Sequence, residues 1–141
     1  MSLFMRDEEE VVLCSPMEGV ITVEGKPVSN AKIERNIKWQ DDVGETDTYY
    51  TDKNGSFSLP IKQTTVRLNK ITQFVMSQEI TVFYNNSKYM IWTLGKGSKL
   101  LYGELNGKPE NFRCELTNDP IRVEVEDGLL GTSCVWDSII K

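Results

Sequence analysis

The sequence predicts an all-β protein, a single antiparallel β-sandwich, and three observations carry that expectation. Residues 31–40, AKIERNIKWQ, alternate apolar and polar side chains with a period of two. Two turn-rich stretches, GVITVEGKPVSNAKI at 19–33 and TDKNGSF at 51–57, each run straight into alternating apolar residues. The same alternation returns at 112–116 and 121–125, on either side of Thr117-Asn118-Asp119-Pro120.

Taken in order, Val20, Ile21 and Val23 make a short strand that ends at Glu24-Gly25-Lys26-Pro27. There glycine supplies a positive φ and proline closes off ladder pairing. The strand over 31–40 puts Ala31, Ile33, Ile37 and Trp39 on one face, interrupted by Arg35, and polar residues on the other. A loop at DDVGE follows, then strand-like TDTYYT. Asp52-Lys53-Asn54-Gly55 is a tight reversal in which Asp52 and Asn54 bond their own backbone and Gly55 accepts a left-handed conformation. Phe57 and Leu59 then point inward, and Pro60 ends that strand.

Residues 64–76 suit either a strand or one helical turn. Two strands, 78–84 and 88–94, flank Asn85-Asn86-Ser87. The glycine- and lysine-rich segment 95–109 reads as a long loop or a short edge hairpin. Pairing Leu116 with Ile121 sets 114 against 123 and 112 against 125. That register places Glu115 opposite Arg122 and Arg113 opposite Glu124, so pattern and charge both favour a hairpin. The tail LLGTSCVWDSII is apolar enough to dock.

The 141 residues suffice for one domain with a core that needs no staples, and residues 1–13 are expected to be a loosely ordered acidic segment. No run approaches a membrane span. MSLFM is followed by Arg6 and the acids Asp7 to Glu10, not the basic-then-apolar order of a secretory signal, so a cytoplasmic location is expected. Cys14, Cys114 and Cys134, odd in number and far apart, read as reduced thiols, with a single bridge as the alternative. With no histidine in the chain, a zinc site is disfavoured and no cofactor is expected.

Gly19-Val20, Gly25-Lys26-Pro27-Val28, Ala31-Lys32-Ile33 and Thr51 to Phe57 together resemble the carboxypeptidase regulatory-like domain, over about residues 17–61. The resemblance implies a transthyretin-like seven-stranded sandwich, elaborated in its C-terminal half. It also implies an accessory or binding role without catalytic residues. The transthyretin-like hydroxyisourate hydrolase depends on histidines and a C-terminal Tyr-Arg-Gly-Ser, whereas this chain ends Ser-Ile-Ile-Lys.

Without histidine, the usual general base and the Ser-His and Cys-His nucleophile pairs are missing, and no enzymatic activity is expected. Cys14 has no basic neighbour in sequence to activate it and reads as core packing. Asp52 to Gly55 overlaps part of a calcium loop whose other ligands are missing, so turn chemistry accounts for it. Net charge is −5, with acids dominating residues 1–60 and 110–141 and bases dominating 61–109. In that basic segment Lys88, Lys96, Lys99 and Lys108 mix with Tyr84, Tyr89, Trp92 and Tyr102. The mixture suits nucleic acid or a protein interface, and overall acidity favours the latter.

The leading expectation is a bacterial immunity protein that occludes the active site of a basic toxin domain, with Asp41, Asp42, Glu45 and Asp47 as contacts. The alternative is a structural or ligand-binding accessory module, serving a carbohydrate or a secretion apparatus.

Overall fold

A computed structural model describes residues 8–39, 43–67, 75–126 and 128–141. These form fifteen strands and no helix. The first seven are β1 (Glu8–Cys14), β2 (Met17–Val23), β3 (Lys26–Pro27), β4 (Lys32–Lys38), β5 (Glu45–Tyr50), β6 (Ser56–Leu59) and β7 (Lys62–Arg67). Next come β8 (Met76–Tyr84), β9 (Ser87–Lys96), β10 (Lys108–Glu110), β11 (Arg113–Glu115) and β12 (Ile121–Val125). The chain closes with β13 (Gly128–Thr132), β14 (Cys134–Val135) and β15 (Ser138–Ile140).

Six strands form one antiparallel sheet in the order β12-β13-β9-β8-β4-β5. A second sheet runs β14-β11-β2, with β3 and β6 both pairing β2; its β11–β2 contact is parallel. Two ribbons, β1–β7 and β10–β15, complete the fold. Both larger sheets feed one buried cluster. The six-stranded sheet contributes Ile33, Ile80, Val82, Trp92, Leu94 and Leu130, and the other contributes Ile21, Phe57, Leu59, Cys114 and Cys134. A smaller cluster of Val11, Leu13, Cys14, Ile37, Val66 and Met76 lies under the β1–β7 ribbon. The segment expected to be loosely ordered is therefore, from Glu8 onward, a paired strand that buries Val11 and Leu13.

The predicted turns behave as their residues dictate. Asp52 Oδ1 accepts from the backbone N–H of Asn54 and Ser56, at 2.8 and 2.9 Å. Gly55 takes φ +77°, and a Cβ there would stand 2.7 Å from the carbonyl oxygen of Ile21, so only glycine fits. Asn85 and Asn86, both at positive φ, close the β8–β9 hairpin. Within that hairpin a bulge on β9 leaves Ile91 without a partner on β8. Ile91 and Trp92 consequently both turn inward, against strict alternation. Of residues 64–76, 64–67 belong to β7, Val75 leads into β8 and Met76 opens it; the rest lie outside the described residues.

Two further expectations are corrected. The hairpin of 112–116 with 121–125 does not form: β11 pairs β2 and β14, while β12 pairs β13 in the other sheet. Thr117 to Pro120 is a corner that carries the chain between sheets. Phe112, Cys114 and Leu116 are buried as their alternation implies, whereas Val123 and Val125 are only half-buried and Ile121 is exposed; a period of two also leaves the neighbouring strand open. Arg113 pairs with Asp137 instead of Glu124. Cys114 and Cys134, read as thiols, sit directly opposite each other on β11 and β14 and form a disulfide. Only Cys14 is free.

Glu115, freed from the expected pairing with Arg122, locks the β2–β3 turn to the end of β11. Its carboxylate accepts from the hydroxyls of Thr22 and Thr117 and from the backbone N–H of Glu24, Gly25 and Thr117. Burial opposes ionisation, but the Thr117 hydroxyl, the Gly25 and Glu24 amides and the Thr22 hydroxyl together hold its pKa down at about 2. A depressed carboxyl pKa contributes stability above its ordinary value of 4.5 and loses it as pH falls toward 2. Glu115→Gln is therefore expected to flatten the acid side of the stability profile in that window, read as urea midpoint against pH.

Candidate functional site

Three features compete for a functional role, and the first is the set of acids singled out from the sequence. Asp41 and Asp42 lie outside the described residues. Glu45, expected in a loop, joins Asp47 in strand β5. Asp47 is in register with Arg35 of β4, on the same face of neighbouring strands. Arg35 Nη2 donates to Asp47 Oδ2 at 3.1 Å, and Lys62 Nζ approaches Glu45 at 2.8 Å and Asp47 at 3.5 Å. Burial opposes it, yet the guanidinium and the ammonium hold Asp47 below the ordinary carboxylate range. The bond to Glu45 leads in raising Lys62 above the usual lysine range. The structure thus brings Glu45 and Asp47 together, and matches their charge internally. Glu45, 71% exposed at its side chain, still faces solvent beside a groove of about 470 Å³ walled by Trp39, Lys62 and Thr64.

The second feature is an interior belt of polar groups between the two apolar clusters. Arg35, Gln78 and Lys96 each occupy an inward position on β4, β8 and β9 and are fully buried. Glu104, from the turn segment before β10, reaches into the same belt and is 7% exposed. Its carboxylate accepts from the Ser15 N–H at 2.8 Å, the Ser15 hydroxyl at 2.7 Å and Gln78 Nε2 at 2.9 Å. Lys96 Nζ lies 3.3 Å from Glu104 Oε2, an ion pair without hydrogen-bond geometry. Burial works against the charge, but Lys96 and the Ser15 and Gln78 donors keep Glu104 below the usual range. Close by, burial foremost and then the Glu104 charge push the Cys14 thiol up to about 11, which leaves it inert.

That belt takes Lys96 and Trp92 out of the basic, aromatic set noted over 88–108. Lys96 and Trp92 are buried, Lys99 is paired with Glu9, and Lys108 lies 3.9 Å from Glu18. Sequence reading missed Gln78, Lys96 and Glu104 as a group. Their signal was present in the inward rows Met76-Gln78-Ile80-Val82 and Trp92-Leu94-Lys96, where a polar residue breaks an apolar series as Arg35 breaks its own.

The third feature is a groove of about 490 Å³ between β2 and β10, floored by Met17, Phe57 and Phe112 and rimmed by Glu18, Lys108 and Glu110. It exists because β11 begins only opposite Val20, so the chain at 108–112 peels away from the first half of β2. Gly19 permits the close approach that remains: a Cβ there would stand 2.7 Å from the carbonyl oxygen of Phe112. The N–H of Ile21 donates to Gly55 and its carbonyl accepts from Val28, while Val20 donates to Phe112 and Thr22 accepts from Leu116. By the same pleat, the backbone of Glu18 points into the groove, where no described strand pairs with it.

A domain family described as of unknown function, DUF6795, matches residues 17–119, well over half of the chain and inclusive of all three features' central residues. The chain belongs to the DUF6795 family. No curated protein and no solved structure matches it. The part of this DUF6795 chain beyond the match contains β12 to β15 and with them Cys134, so the disulfide ties the family region to the C-terminal strands. No helix among the described residues is long and apolar enough to cross a membrane.

Proposed function

We propose that the chain is a non-enzymatic accessory module, a transthyretin-like β-sandwich that binds an extended polypeptide segment in the groove between β2 and β10. One observation carries the reading: β2 at Glu18 pairs with Ser58 of β6 on one side, and its other side opens onto the groove above an apolar floor of Met17, Phe57 and Phe112. An open edge supplies affinity through backbone bonds, and the floor supplies side-chain selection. The Cys114–Cys134 disulfide supports an oxidising compartment over the cytoplasm, since such bridges are rare where thiols are kept reduced. The toxin-inhibitor reading rests on Glu45, the one described member of its acidic set that remains largely exposed. It is the weaker of the two because Lys62 and Arg35 already compensate the charge a basic partner needs.

The test is selection of peptides from a random display library on the purified protein, followed by affinity measurement on two variants. Glu18→Pro deletes the edge N–H and is expected to weaken the selected peptides about tenfold, one lost hydrogen bond's worth. Glu45→Gln is expected to leave them unchanged. Binders that respond to Glu45 and ignore Glu18 move the site to the acidic edge, and an empty selection removes the groove reading.

A further inference from the structure

We propose that the buried belt is a self-modification site, in which Lys96 and Gln78 join in an intramolecular isopeptide bond with release of ammonia. The case rests on four groups whose positions match the four parts of an acyl transfer. Lys96 is the nucleophile, with Nζ buried and held by no hydrogen bond. Gln78 is the acyl donor, a neutral amide whose carbonyl oxygen accepts from Trp92 Nε1 at 2.9 Å. That N–H stands where negative charge develops when the carbonyl is attacked, the role of an oxyanion donor in a buried site.

Glu104 is the proton carrier. Its Oε2 lies 3.3 Å from Lys96 Nζ and 2.9 Å from Gln78 Nε2, so one oxygen touches both the nucleophile and the leaving group. Lys96 and Gln78 occupy the same face of adjacent antiparallel strands. The pairs Met76–Lys96 and Gln78–Leu94 make them diagonal neighbours, within reach of long side chains. A carboxylate is a poor acyl donor to an amine because its carbonyl already bears the negative charge. The neutral amide of Gln78 is therefore the acyl donor, and Glu104 is the shuttle.

The step balances within these residues. The Lys96 ammonium passes a proton to Glu104 Oε2, and the freed amine attacks Gln78 Cδ. The carbonyl electron pair moves to Oε1, against Trp92 Nε1. Glu104 then protonates Nε2, the Cδ–Nε2 bond breaks, ammonia departs, and the carboxylate recovers a proton from the new amide nitrogen. A buried ion pair and an amide become a secondary amide and a neutral acid, which removes two charges from a buried interior. A cavity of about 20 Å³ bounded by Ser15, Trp92, Tyr102 and Glu104 lies beside the carboxylate, room for one small departing molecule. No oxidant, metal or cofactor enters the balance.

The measurement is intact mass of the purified full-length chain with Cys114–Cys134 reduced, repeated over a time course after refolding. The expected result is a chain lighter by one ammonia, with a branched peptide joining the fragments that contain Gln78 and Lys96. Trp92→Phe keeps an aromatic ring in place but deletes the N–H, and is expected to slow the mass loss about 100-fold. Lys96→Arg is expected to abolish it. A wild-type mass that stays at the unmodified value overturns the proposal and leaves an ordinary buried ion pair. Loss of one water instead also overturns it, since that places the bond between Lys96 and Glu104.

Discussion

Arg35→Ala is expected to lower unfolding stability by about 3–5 kcal/mol, the cost of breaking a buried charged network from one side. Arg35 is 1% exposed, and its guanidinium donates to the Pro60 carbonyl, to Asp47 and to the Tyr49 hydroxyl while lying over the Tyr49 ring. Alanine removes all four contacts, opens a cavity between the apolar clusters, and leaves the Pro60 carbonyl without its donor. Arg35→Met retains the apolar stem and is expected to lose less than half as much, because a buried charge replaced by a hydrophobe of similar length also sheds its desolvation cost. Guanidinium unfolding of both variants separates charge from packing. Equal losses in the two would assign the effect to the charge network alone, and a loss under about 1 kcal/mol for alanine would remove Arg35 from the framework.

Arg35 also shows what a sequence of this kind discloses. It stood out as the interruption in an otherwise apolar row, and its partner lay twelve residues on at Asp47, in the next strand. Local turn chemistry was equally readable: Asp52 and Gly55 form the reversal their side chains demand, and the two asparagines at 85–86 close a hairpin. All-β class follows from these short-range signals. Partner choice does not, because alternation is satisfied by any neighbour that presents an apolar face. Residues 112–116 and 121–125 alternate and carry matching charges, yet they enter different sheets. What decides is the three-dimensional corner at Thr117 to Pro120, together with five donors converging on Glu115, two of them from the turn at Glu24-Gly25. Glu104 was silent for the same reason. It sits in a segment without periodicity, and its partners at 15, 78 and 96 are all supplied by other elements.

Removing the disulfide is expected to cost about 3 kcal/mol, from the loop entropy returned to the unfolded chain when a closure spanning 20 residues is opened. The bridge joins strands of only three and two residues, β11 and β14, whose own ladder is too short to hold the C-terminal segment. Between the two cysteines the chain leaves one sheet, adds β12 and β13 to the other, and returns. The S–S bond therefore restrains a complete excursion across the core. Cys114→Ala/Cys134→Ala and the wild-type chain in reductant are expected to share one lowered denaturant midpoint, while the oxidised wild type sits higher. Thiol counting on the denatured, unreduced protein is expected to find Cys14 alone. Three reactive thiols in protein recovered from its native compartment would return Cys114 and Cys134 to the reduced state and make the cytoplasmic, toxin-inhibitor reading the stronger one. A single thiol would leave the extracytoplasmic accessory module as the reading that fits both the bond and the groove.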